Sequence, residues 1–115
     1  RQKLEERGIF NRTEEMNKAL ALLSKQAADG KAWVAGDIAP TGRFLAPLGD
    51  ASFEELVDIY TEQAAGLEQA GVDLYVIETM MTLSDARADA DRCACGGSGD
   101  PQHEQKAHPC VLYLR

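Results

Sequence analysis

Hydrophobic and polar positions follow two different patterns along the first 80 residues. In two stretches apolar residues recur every three or four positions, which predicts amphipathic helices with the stripes Met16, Ala19, Leu20, Leu23, Ala27 and Phe53, Leu56, Val57, Tyr60, Ala64, Leu67. Residues 31–38 and 72–77 are instead apolar on both parities, which is typical of strands covered on both faces. The predicted order is helix, strand, long loop, helix, strand.

Turn and capping residues support these boundaries. The predicted caps and stops are Asn11 or Thr13, Gly30, Ser52 with Glu55 in capping-box spacing, and Gly71. Thr82 or Ser84 is expected to cap one more helix. Two strands joined by a helix form a βαβ unit, so the sequence predicts an α/β fold with parallel strands.

Carboxylates stand where the two apolar runs stop. Glu78 follows the second run, and Asp37 lies near the end of the first. The carboxyl ends of parallel strands are where α/β folds bind ligands, which makes Glu78 a candidate site residue. The plainer alternative is that Glu78 only begins the next loop. The loop from Ala39 is long for such a connection, and long loops at this end of a strand often carry function.

Composition narrows the class of protein. The chain is 44% hydrophobic and 27% charged with a net charge of -7, which argues against nucleic acid and against an anionic membrane as the main partner. No apolar run is long enough for a membrane span, and no signal peptide is evident, so a cytoplasmic location is expected. The first residue is Arg1 rather than Met, which suggests a piece of a longer protein.

The composition changes near Asp91. Beyond it acidic and basic residues balance, breakers are frequent, and all the cysteines and histidines occur: Cys93, Cys95, His103, His108 and Cys110. Their spacing fits none of the usual zinc patterns. We therefore predict one segment over residues 1–90 and a divergent segment over residues 91–115. The second is interpreted as disordered or as foreign to the domain, and a metal site is the weaker alternative.

The segment from Val34 to Gly42 (Val-Ala-Gly-Asp-Ile-Ala-Pro-Thr-Gly), the helix after it and the run Val-Asp-Leu-Tyr-Val-Ile-Glu-Thr-Met together resemble the homocysteine S-methyltransferase family. That family includes the homocysteine-binding domain of cobalamin-dependent methionine synthase and betaine–homocysteine methyltransferase. The resemblance covers roughly residues 3–90. Ala39 departs from it, because glycine is common at that position.

The resemblance implies a (β/α)8 barrel, of which this chain would hold a partial slice with about two parallel strands and their flanking helices. It implies that Glu78 binds the amino group of homocysteine and that neighbouring rim residues help to bind it: Thr79, Gly36, Asp37, Pro40 and Thr41. Family members hold zinc through three cysteines, including a Gly-Gly-Cys-Cys sequence. That sequence is not in this chain, so no metal ligand is assigned here.

The implied reaction is transfer of a methyl group to the thiol of homocysteine, whose thiolate forms on zinc. The methyl donor stays open among methylcobalamin on a corrinoid protein or domain, a methylated amine and a sulfonium. This chain alone is expected to be inactive. Two other hypotheses are a non-catalytic remnant or interaction module, and a different barrel enzyme with a carboxylate at the same strand end.

Overall fold

The structure, a computed structural model, describes residues 1–80 and 110–113. Its elements are α1 (Gln2–Glu5), α2 (Thr13–Ala28), β1 (Ala35–Ile38), α3 (Phe53–Gln69), β2 (Leu74–Glu78) and β3 (Cys110–Tyr113). The strands form one parallel sheet in the order β1-β2-β3. Parallel strands in sequential order, with a helix between the first two, fit part of a (β/α)8 barrel. The helix expected after Thr82 or Ser84 lies outside the described residues.

The core lies between α3 and one face of the sheet. Side chains on that face are almost fully buried, among them Ile38, Tyr75 and Ile77, and they contact Leu56 and Leu67 of α3 within one cluster. The opposite face differs from the expectation of two covered faces, because its positions in β1 are exposed and those in β2 are half-buried. The sheet therefore has one face that the described helices do not cover.

The pairing of β1 with β2 is fixed at the amino ends of the two strands. The amide of Asp73 donates to the carbonyl of Val34 over 2.8 Å, and the amide of Val34 donates to the Asp73 carboxylate over 2.7 Å. Lys25 of α2 binds the same carboxylate at 2.9 Å. One aspartate thus ties α2 and both strands together, and the register places Asp37 beside Val76.

The α2 helix packs on α3 through small side chains, and the predicted stripe is wrong as the packing face. Thr13 and Ala21 are its buried residues, whereas Leu20 and Leu23 are about 60% exposed. The reason is Gly66, where an added Cβ would collide with the carbonyl oxygen of Glu14. Two helix backbones in such close contact leave no room for leucines between them.

The helix ends predicted from the sequence are confirmed for α3, but the predicted start of α2 is not. Ser52 caps α3, accepting a hydrogen bond from the amide of Glu55 over 3.0 Å, and Gly71 follows that helix at φ +71°. The predicted cap of α2 is wrong. Arg12 occupies the N-cap position without a side-chain cap, and its guanidinium binds Glu15 in the first turn instead.

The segment beyond residue 91 contributes one described element. Residues Cys110–Tyr113 pair with β2, with Tyr113 beside Glu78. Cys93, Cys95, His103 and His108 lie outside the described residues, so the boundary near Asp91 stays a prediction. Among the helices that the structure describes, none combines the length and the apolarity that crossing a bilayer requires.

The glycine at the helix contact gives a prediction with an unusual sign. Gly→Ala inside an exposed helix stabilises by roughly 0.5–1 kcal/mol, but Gly66→Ala should destabilise by about 1–3 kcal/mol because the methyl group meets backbone. Urea titration followed by far-ultraviolet circular dichroism measures the change. Ser24→Ala on the exposed side of α2 is the control. A higher urea midpoint for Gly66→Ala would refute the close contact.

The uncovered apolar surface predicts how the isolated 115-residue chain behaves. Trp33 is 83% exposed and Leu20 63%, and none of the helices described in residues 1–80 covers the second face of the sheet. The chain alone should therefore bind the dye ANS, with weak amide protection in β1 and β2. A sharp two-state thermal transition of the monomer without dye binding would contradict this expectation.

Candidate functional site

The candidate site lies at the carboxyl edge of the sheet, on the face away from α3. In a strand successive side chains point to opposite faces, so Leu74, Val76 and Glu78 share one face while Tyr75 and Ile77 share the other. The register adds Asp37 to the first group, because it pairs with Val76. Two carboxylates from adjacent strands therefore lie on the face that the described helices leave open.

Glu78 is the last residue of β2, and its side chain is half-buried. Behind it the buried face of the same strand holds Tyr75, whose hydroxyl donates to Glu68 of α3 over 2.8 Å. Ile77, fully buried, holds the strand against the core. The strand is thus fixed from the helix side, and the Glu78 carboxylate belongs to the other side.

Asp37 is exposed, and its backbone is held from the helix layer. The side-chain amide of Gln63 on α3 donates to the Asp37 carbonyl over 3.2 Å. Asp37, Pro40 and Thr41 line a cavity of about 280 Å³ together with residues 1–4, residues of α2, and Ile59 and Gln63 of α3, so this cavity borders the helix layer. The structure brings these three predicted site residues together, whereas Glu78 and Thr79 are not among the residues lining this cavity.

Gly36 has a different position from the other predicted site residues. It is buried on the face towards α3, where an added Cβ would lie 3.0 Å from Leu67 and 3.2 Å from Tyr75. Its hydrogen side chain permits the close approach of helix and strand. A side chain at residue 36 would point towards α3, on the opposite side of the sheet from Glu78. Contact of Gly36 with a substrate stays a prediction.

The long loop between β1 and α3 is held by Arg43, a residue that the sequence patterns did not single out. Its guanidinium binds Asp50 at 3.0 Å and also Glu55 in the first turn of α3. Its amide donates to the Thr41 hydroxyl over 3.1 Å. Glu55 therefore binds Arg43. Its capping-box spacing had predicted a hydrogen bond from the Ser52 amide to the Glu55 carboxylate instead. The only signal in the sequence is a lone cation between acidic residues.

The ion pair between Arg43 and Asp50 shifts the pKa values of these two groups in opposite directions. The hydrogen bond from Arg43 and the positive charge beside it hold the pKa of Asp50 below its ordinary value of 3.8. The same hydrogen bond raises the pKa of Arg43. The loop is therefore fastened by groups that are both ionised at neutral pH, and Thr41 is fixed next to them.

Within the described part of the chain, no three His, Cys, Asp or Glu side chains come together as metal ligands would. The residues present there do not fit a zinc site of the kind that the resemblance implies, so none of them is given a role in zinc chemistry.

The chain matches a known protein family over most of its length. A family model described as homocysteine S-methyltransferase matches residues 1–103. The match covers all six predicted site residues and continues past Asp91, where the composition of the chain changes.

The pairing of Arg43 with Asp50 predicts a pH dependence. Because the pKa of Asp50 is lowered in the folded chain, the stabilisation from the pair is present above about 3.8 and is lost as pH falls through the lower, folded-state value. NMR titration of the Asp50 carboxyl should show a midpoint below 3.8, and Arg43→Gln should return it to the ordinary range. Arg12→Gln is the control, since that cation binds Glu15. An unchanged midpoint in Arg43→Gln would exclude the pair.

Proposed function

This chain belongs to the homocysteine S-methyltransferase family, and from that premise we propose that it forms part of the homocysteine-binding wall of a barrel. In this proposal Glu78 accepts a hydrogen bond from the ammonium group of the substrate. The remaining rim residues, Asp37, Pro40, Thr41 and Thr79, shape the same mouth. The methyl group is transferred to the thiol of the bound homocysteine.

The observation that carries the proposal is the place of Glu78. It ends a strand whose other face is buried against α3, and it lies on the open face of the sheet. In a closed barrel that face points inward, so the carboxylate stands at the mouth. An ionised carboxylate and an ammonium group form a charge-assisted hydrogen bond, roughly twice as strong as a neutral one.

Substrate binding is a better role for Glu78 than proton transfer. Asp37, the other carboxylate on this face of β1 and β2, has Val76 as its partner in the register, two residues before Glu78. The described residues include no histidine, the side chain that most often serves as a general base. A carboxylate can instead bind a cationic group through a charge-assisted hydrogen bond, and the amino group of an amino acid is such a group.

The Asp37 edge supports the same substrate class from the next strand. Asp37 is exposed on the Glu78 face, and Pro40 and Thr41 follow it in the loop. Arg43 fixes Thr41 through its amide and is itself fixed by Asp50. The proposal gives this loop the task of shaping the rim while two acidic side chains favour a cationic group.

The chemistry of transfer involves parts outside the described residues. Zinc, as the family implies, supplies a bound thiolate near neutral pH when it is present. The residues of this chain bind and orient the substrate. The methyl donor is left open among a corrinoid protein or domain that carries methylcobalamin, a methylated amine and a sulfonium. The proposal includes a cytoplasmic location, and the 115-residue chain by itself is expected to be inactive.

A second candidate is a non-catalytic interaction module, favoured by the exposed leucines of α2. The two functions differ in what they require of Glu78. A module that docks through α2 does not depend on a carboxylate at the strand end, so the response of homocysteine binding to a change at Glu78 separates them.

The proposal is tested by Glu78→Gln in a complete family barrel that carries residues 1–80 of this chain in place of its own segment. The change keeps the size of the side chain and removes its charge. Homocysteine binding should weaken by about 1.5–3 kcal/mol, the worth of a hydrogen bond to a charged group. Binding of a des-amino thiol analogue should not change. Isothermal titration calorimetry gives both dissociation constants.

Glu68→Gln is the matched control. Glu68 lies on α3 behind the same strand and binds Tyr75, so the same chemical change there should leave both dissociation constants as they were. Equal losses for homocysteine and for its des-amino analogue in Glu78→Gln would assign Glu78 to the fold rather than to the substrate.

A further inference from the structure

Thr79, the residue after Glu78, has a backbone conformation that its side chain disfavours. Its φ is +59°, in the left-handed region. A β-branched residue rarely adopts this conformation, because Cβ crowds the carbonyl oxygen. Such strain persists only where surrounding structure enforces it. The two neighbours of Thr79 in the chain, Glu78 and Met80, enforce it.

Both neighbours of Thr79 are held. Glu78 belongs to the β2 ladder and pairs with Tyr113 of β3. Met80 is 3% exposed, and its sulfur accepts a hydrogen bond from the Tyr60 hydroxyl at 3.8 Å. Tyr60 lies on α3 and is itself 1% exposed. The chain must therefore pass from a strand residue to a core residue within a single position.

The strand parity shows what this conformation achieves. Side chains alternate along an extended chain, so Met80 would share the face of Leu74, Val76 and Glu78 if β2 continued. It lies instead in the core cluster that contains Ile77 and Tyr60. The turn at Thr79 thus moves Met80 to the helix side. Glu78 is left as the last β2 side chain on the open face.

We propose that the left-handed backbone of Thr79 is a positioning device for substrate recognition. It keeps the Met80 side chain off the site face, so that Glu78 ends that face alone and aims at the ligand. The inference deepens the proposed function and rests on it for the identity of the ligand. Thr79 acts through its backbone and through its two neighbours, so it is a positioning residue.

The experiment compares Thr79→Gly with Thr79→Pro in the complete barrel that carries this segment. Glycine accepts positive φ readily, whereas proline is fixed near −65° and excludes it. Thr79→Pro should weaken homocysteine binding about tenfold or more, because a misplaced group at a site is costly. The preference for homocysteine over the des-amino analogue should fall with it. The NOE between the Met80 methyl group and the Tyr60 ring should disappear.

Thr79→Gly should keep that NOE and raise the thermal midpoint, because the strain is relieved. Its preference for homocysteine should lie between those of wild type and Thr79→Pro, since glycine also samples other conformations. A lower midpoint for Thr79→Gly would show that Thr79 is not strained. An undiminished preference in Thr79→Pro, or a retained NOE, would overturn the positioning role.

If the proline variant does not fold, Met80→Ala tests the proposal in its place. Loss of the buried side chain removes the anchor and leaves Thr79 unchanged. The preference for homocysteine should fall at temperatures where the variant is fully folded, and a purely structural role predicts no such fall. If the wild-type barrel shows no preference, the proposed function fails. The NOE and the thermal midpoints then decide the backbone inference by themselves.

Discussion

The parallel register between β1 and β2 is the constraint on which the site depends. A slip of one residue would exchange the two faces of a strand and turn Asp37 towards α3. Asp73 prevents the slip with two hydrogen bonds to Val34, one through its amide and one through its carboxylate. Lys25 balances the charge of that carboxylate. The interaction lies at the amino ends of the strands. It determines which face of the sheet carries Asp37 and Glu78 at the carboxyl ends.

A large part of this architecture could be predicted from the sequence, because local rules determine it. Glycine at residue 71 and the apolar run after it place β2 and its final carboxylate, and Ser52 marks the start of α3. The apolar period of α3 identifies most of its buried face. The resemblance to the family rested on these same segments, and the family model matches residues 1–103.

The remainder could not be predicted, because it depends on contacts between residues far apart in the chain. The rotation of α2 follows from Gly66, about fifty positions away, which admits the α2 backbone and excludes its leucines. The bond between Arg43 and Glu55 exists only once the loop has folded back on α3. The positive φ of Thr79 is required only because Met80 must reach Tyr60. The spacing of apolar residues along the chain gives no information about these long-range contacts.

The order of the strands has a consequence for how copies of this chain meet. In the described sheet β1 and β3 are the outer strands, so each presents backbone amide and carbonyl groups along one side. Such an edge can add a strand from another chain. The β1 edge is only four residues long and carries Asp37, and short charged edges resist that kind of growth. In the isolated chain the exposed Asp37 carboxylate therefore disfavours the addition of a strand from another copy, whereas a closed barrel would leave no such edge.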